Sequence, residues 1–262
     1  MSTPTPEEIK KYWDGKAAQL WTDPSATMKD VILRTMEIEA ICNRLRHDDE
    51  LLDIGCGNAF GTIEFAKVCR HAVAMDYSDK MVEAAREAVR KSGASNIQVE
   101  QGSALDIGDR HPKRYTALSS VRCLINQPSS EEQFRALDQF SRALRPHGRL
   151  LLLEGLVEPF EALNAARVHM GLPVMKLDWH NRVFVRAEVE KHLSQDFVIR
   201  ECIDFGEYYF LSRIVQPLLV APEDPKFNAR INEIGREIWR TGVVRGALSN
   251  MSTLNLYVCE RK

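Results

Sequence analysis

Leu51-Leu52-Asp53-Ile54-Gly55-Cys56-Gly57-Asn58-Ala59-Phe60-Gly61 decides how this chain is read. Leu51 to Ile54 is a short apolar run that suits a buried parallel strand. Glycines follow, and then Ile63, Phe65, Ala66 and Val68 begin a helical pattern. Strand, glycine turn and helix form the context in which a glycine motif binds a ligand: Gly55 and Gly57 let the backbone turn where a Cβ would collide, and the helix start supplies free N–H groups. No lysine follows until Lys67, so the loop is not a P-loop, and Gly61 falls out of register for a dinucleotide fingerprint.

Asp53 precedes the first glycine by two residues. A carboxylate there repels a pyrophosphate but accepts hydrogen bonds from an ammonium group. The next strand, His71-Ala72-Val73-Ala74-Met75-Asp76, ends in an acid where a ribose diol is gripped in nucleotide-binding sheets. The ligand these carboxyls suit carries an amine and a ribose but no diphosphate.

Asp53-Ile54-Gly55-Cys56-Gly57-Asn58-Ala59 resembles the first motif of class I S-adenosylmethionine-dependent methyltransferases, and Met75-Asp76-Tyr77-Ser78-Asp79-Lys80-Met81 resembles their second. Leu144-Arg145-Pro146-His147-Gly148-Arg149-Leu150 resembles the turn before their fifth strand. The likeness covers roughly Leu51 to Glu154, with departures: Ala59 stands where the family often has glycine, and Ser103 where it often has an acid near the adenine. The resemblance implies a single Rossmann-like α/β domain, doubly wound and mostly parallel, with an antiparallel last strand. It implies S-adenosylmethionine as cofactor and methyl transfer to O or N of a small molecule. Protein or RNA methylation, and a cofactor-binding regulator without turnover, are the alternative readings. Its cofactor contacts fall on Asp53, Gly55, Cys56, Gly57, Asp76, Tyr77, Met81, Ser103, Ala104, Leu105 and Val121.

Residues 1–47 read as a helical cover, 48–155 as the cofactor-binding half, 156–205 as the substrate side, 206–250 as a helical insertion and 251–262 as the last strand. In the cover, Arg34, Ile38, Ile41 and Leu45 share one helix face. Arg34 is read either as a surface partner of Asp30 at i,i+4 or as a clamp on the cofactor carboxylate. Tyr12, Trp13 and Met28 are either core or contacts of a lid over the cofactor. Ser129 and Glu132 form a capping-box pattern for the helix before the fifth strand. Glu154, at that strand's end, is read either as a substrate contact or as a cap of the next helix. The insertion is a lid or the surface of a homodimer.

On the acceptor side, Arg122 and Asn126 follow the fourth strand, on the edge where open α/β sheets bind ligands. No Asn/Asp-Pro-Pro-Tyr/Phe tetrapeptide occurs, which disfavours a nucleic-acid base as acceptor, and the net charge of −2 gives no basic excess for nucleic acid. His180, in Leu177-Asp178-Trp179-His180-Asn181, is the first candidate for a general base, His169 the second, and Tyr208 a further candidate acceptor contact. None of the seven histidines forms a His-x-x-x-His pattern, so no metal is expected. Six cysteines without close pairing, no signal-peptide core at Met1–Glu8 and no membrane-length apolar run suggest a reduced, cytoplasmic protein.

Overall fold

The computed structural model describes residues 4–244 and 246–262, so the very start of the Met1–Glu8 stretch lies outside the described residues. Its seven strands are β1 (Glu50–Ile54), β2 (His71–Asp76), β3 (Ile97–Gln101), β4 (Tyr115–Val121), β5 (Leu144–Gly155), β6 (Phe197–Asp204) and β7 (Leu254–Arg261). They form one sheet in the order β3-β2-β1-β4-β5-β7-β6. β1 to β5 pair in parallel, and β7 runs antiparallel between β5 and β6. Strand order therefore reverses between β1 and β4, the switch point where such sheets open a crevice at their carboxyl ends.

The helices are α1 (Pro6–Leu20), α2 (Val31–Cys42), α3 (Phe60–Phe65), α4 (Asp79–Ser92), α5 (Ile107–Arg110), α6 (Ser130–Ala143), α7 (Val157–His169) and α8 (Arg186–Asp196). The insertion adds α9 (Gly206–Phe210), a π-helical turn (Leu211–Val215), α10 (Gln216–Val220) and α11 (Arg230–Thr241). Both sheet faces are covered, and alternation along β5 shows it. Leu150 and Leu152 enter a core with Leu137 and Phe140 of α6, whereas Leu151 and Leu153 enter another with Leu33 of α2 and Leu163 of α7. That two-sided burial explains why the fifth strand reads as a continuous apolar run.

Local signals place the elements. Ser78 Oγ accepts from Met81 N at 3.1 Å to start α4, which ends at Gly93 with φ +72°. Ser129 Oγ accepts from Glu132 N at 3.2 Å to start α6. Asp30 Oδ1 caps α2 through Leu33 N at 3.1 Å. β5 begins at Leu144, which pairs with Tyr115; regular pairing resumes at Arg149 with Ala117, and the residues between bulge out, with His147 at φ +61°.

Candidate active site

At the carboxyl ends of β1, β2 and β4 lies a cavity of about 250 Å³. Gly55 and Gly57 take φ +72° and +57°, and a Cβ at Gly57 would sit 2.7 Å from Thr27 Cγ2. Ala59 holds a left-handed φ of +60°, which explains why a glycine is common there in the family the motif resembles. Asp53 is buried on β1, accepting from Thr62 Oγ1 at 2.5 Å and Ser119 Oγ at 2.7 Å. Burial pushes its carboxyl up to about 6 against those two donors. Asp76, ending β2, accepts from Gly57 N at 2.8 Å and Ser78 N at 2.9 Å, and burial raises its pKa too.

Every residue assigned to the cofactor from sequence lines this cavity: Asp53, Gly55, Cys56, Gly57, Asp76, Tyr77, Met81, Ser103, Ala104, Leu105, Val121, Arg34 and Trp13. Ser103 Oγ accepts from Leu105 N at 3.1 Å, fixing the turn after β3. Arg34 is 6% exposed, and its reading as a surface partner of Asp30 is corrected. Asp30 binds Arg213 at 2.5 Å and Tyr208 Oη at 2.7 Å instead, while Arg34 donates to Thr27 Oγ1 and lies over the Phe60 ring. Its Nε is buried without a partner. Beside it sits Glu37, a buried acid that sequence reading passed over, paired with Arg122 at 3.3 Å. The i,i+3 spacing of Arg34 and Glu37 on an otherwise apolar face was the available signal.

Arg122 adopts φ +52°, a left-handed conformation that a non-glycine residue holds only when its surroundings enforce it. Glu154 supplies part of that enforcement. It is buried, and its carboxylate accepts from the backbone N–H groups of Cys123, Leu124 and Ile125 at 3.0, 2.8 and 3.2 Å. It therefore anchors the loop after β4 rather than capping the helix after β5. Burial pushes its pKa up to about 8.

A second cavity, of about 520 Å³, shares Trp13, Thr27, Arg122 and Asn126 with the first. Arg122, Asn126 and His180 thus line one space. Asn126 Nδ2 donates to Arg122 O at 2.8 Å, and Trp13 Nε1 donates to Asn126 Oδ1 at 3.3 Å. His180 is 4% exposed, its ring 4.4 Å from Tyr12 and 5.7 Å from Trp13, and its Nδ1 has no partner. Burial lowers its pKa, which favours the neutral ring. Its loop is positioned by Arg182 N donating to Ile125 O at 2.7 Å and by Gln133 Nε2 donating to Arg182 O at 2.7 Å. Tyr12 and Met28 also line this second space.

Two expected residues are not brought here. His169 is exposed at the end of α7 and lines neither cavity. Tyr208 is fully buried, its hydroxyl donating to Asp30; the helix phase turns its neighbour Tyr209, with Arg213, to the second cavity instead. Among the described residues no cluster of His, Cys, Asp or Glu could hold a metal, and no helix is long and apolar enough to cross a membrane.

Comparison with known proteins gives the family and the fold. Residues 51–148 match the family described as "Methyltransferase domain". The 27-O-demethylrifamycin SV methyltransferase of Amycolatopsis mediterranei (strain S699) is 31% identical over 217 residues, covering 75% of this chain and 78% of that protein. The structure of geranyl diphosphate methyltransferase in complex with GPP and sinefungin superposes with a TM-score of 0.62 at 15% identity, covering 99% of this chain and 100% of that one. The [4+2]-cyclase SpnF superposes with a TM-score of 0.63 at 16% identity, covering 100% and 97%. The last two likenesses concern the fold. The chain belongs to the class I S-adenosylmethionine-dependent methyltransferases; it is an enzyme of that family and uses that cofactor. The first cavity fits the cofactor chemically: two carboxylates for its ammonium and ribose hydroxyls, and a buried guanidinium with an unpartnered Nε for its carboxylate.

Proposed function

We propose that this enzyme methylates an oxygen or nitrogen atom of a small molecule seated in the second cavity, with His180 taking the acceptor's proton. The observation that carries this reading is the buried His180 ring, its Nδ1 unpartnered, lining a space that meets the cofactor cavity at four residues. Oxygen is favoured, because the 31%-identical relative is named for methylation at one.

The bound cofactor supplies a sulfonium methyl that is already electrophilic. The protein's part is alignment and proton removal. Asp53, Asp76 and Arg34 hold the cofactor, Trp13 of α1 covers it, and Arg122 and Asn126 orient the acceptor between the two spaces. His180 starts neutral, because burial disfavours its charged form, and accepts the proton as the new bond forms.

Turnover with methyl-labelled S-adenosylmethionine, across a panel of small alcohols, phenols and amines, tests the reading. His180→Ala should lower kcat by roughly 10²-fold with S-adenosylhomocysteine affinity unchanged. Wild-type kcat/KM should fall with decreasing pH along a limb below the ordinary histidine value of 6.5, and that limb should vanish in the variant. An unchanged kcat in His180→Ala would remove the base from the mechanism.

A further inference from the structure

The second cavity opens onto a rim of exposed apolar side chains from two separate parts of the chain. Leu177 is 40% exposed and Phe227 is 38% exposed, and both line the cavity. Trp179, 52% exposed, stands 5.2 Å from His180 and 5.8 Å from Tyr12, two lining residues. Leu177 and Trp179 come from the loop after α7, and Phe227 from the turn between α10 and α11. Single exposed apolar residues are ordinary on a protein surface; several that are continuous with one cavity mark a ligand surface.

The interior differs in character. Arg122 and Arg213 line it with the buried Asp30, whereas Lys29 and Asp178 are exposed and belong to the mouth. Arg213 is held in place, its Nη2 on Asp30 at 2.5 Å and its guanidinium 4.9 Å from the Phe227 ring centroid and 5.5 Å from that of Tyr209. It sits on the π-helical turn, a feature that recurs at functional sites. At about 520 Å³ the space is twice the size of the cofactor cavity, more than a small alcohol fills.

We infer that the acceptor is a large amphiphile, an alcohol or phenol with an extended apolar body. Its oxygen-rich end enters between Arg122, Arg213 and His180, and its apolar body rests on Leu177, Trp179 and Phe227. This deepens the reading above and rests on it for the site. The rim excludes water around the body, and the cations recognise hydroxyl, carbonyl or phenolate oxygens at the reacting end. Phe227 joins the two halves, since it forms part of the rim and also packs against Arg213.

Binding, measured by calorimetry with S-adenosylhomocysteine present, separates this inference from turnover. The probes are phenol, 2-naphthol and estradiol, which present one phenolic hydroxyl on bodies of increasing size. Affinity should rise along the series, and Leu177→Ser/Phe227→Ser should weaken estradiol binding by roughly tenfold or more while changing phenol binding little. Trp179→Ser, tested alone, should act in the same direction. S-adenosylhomocysteine affinity, measured on each variant, reports whether it is folded. No binding of the two larger probes, or estradiol binding untouched in all variants, overturns the inference. Binding that follows the prediction while His180→Ala leaves turnover intact would retain the acceptor class and reject the base.

Discussion

Arg34 and Arg122 flank one buried carboxylate, Glu37, and their removals leave different things behind. Arg122 makes the ion pair at 3.3 Å, whereas Arg34 acts on Glu37 through its charge alone. Arg34→Met leaves Glu37 paired, so the thermal midpoint of the ligand-free protein should change little. S-adenosylhomocysteine affinity, read by calorimetry, should drop by about 1.5–3 kcal/mol, the loss of charged hydrogen bonds. Lower stability with full affinity would make Arg34 a structural residue. Arg122→Ala strands Glu37 in the interior and should cost about 3–5 kcal/mol of stability. Its effect on acceptor KM is therefore better read from Arg122→Lys, which keeps the charge but loses the planar fork. Asp76→Asn offers a parallel check at the other end of the cavity, because it keeps one of the two oxygens that accept from Gly57 N and Ser78 N while losing the charge expected on the ribose. Wild-type affinity in Asp76→Asn would put the ribose elsewhere.

One element, the loop from Arg122 to Asn126, joins the two cavities, and Glu154 holds it. Burial raises the Glu154 pKa from 4.5 to about 8, so the folded protein binds that proton more tightly than the unfolded chain. Stability from this group is therefore greatest at low pH and is lost as pH climbs from about 4.5 to about 8, at up to about 1.4 kcal/mol per pH unit. Glu154→Gln lacks this slope. It also faces a backbone N–H with its own amide, so it should be the less stable protein near pH 5 and should gain on the wild type between pH 5 and 8 in urea titrations. A pH-independent difference would mean that the carboxyl is ionised throughout. The same loop shows where sequence was legible. Gly55, Gly57 and the acids ending β1 and β2 are dictated by a tight turn and a charged ligand, so local spacing exposes them. Glu154 was visible as an acid at a strand end, but its partners lie on the loop after β4, some thirty residues back. His180 was singled out by type, while its position depends on hydrogen bonds to Ile125 and from Gln133 that no periodicity encodes. Tyr208 and Tyr209 are adjacent, and only the phase of α9 against α2 decides that the first binds Asp30 and the second lines the second cavity.

On the scale of the whole molecule, the cover formed by α1 contrasts with the sheet it overlies. α1 buries only Ile9 and Ala17, whereas Leu150 to Leu153 of β5 are each fully buried between helical layers. What fastens α1 is the packing of Tyr12 and Trp13 against the His180 ring, together with polar bonds that are partly exposed. Lys10 pairs with Asp79 at 2.5 Å, Ser78 Oγ donates to Asp14 at 2.6 Å, and Trp13 bonds Asn126. Exposed ion pairs contribute about 0–1 kcal/mol, so opening this helix costs far less than unfolding the sheet. Its capping box, Thr5 with Glu8, lies within the helix itself and so is not broken by opening. Pro6, Ile9 and Trp13 line the cofactor cavity, so the cofactor adds contacts only when α1 is down. Amide hydrogen exchange should therefore be fast across α1 in the ligand-free protein and slow on adding S-adenosylhomocysteine, with β4 and β5 protected in both. Asp14→Ala, which loses the Ser78 bond, should speed S-adenosylhomocysteine dissociation by roughly tenfold with little change in thermal midpoint. Protection of α1 equal to that of β5 without ligand would show that the cover does not open, and entry would then have to pass through the second cavity.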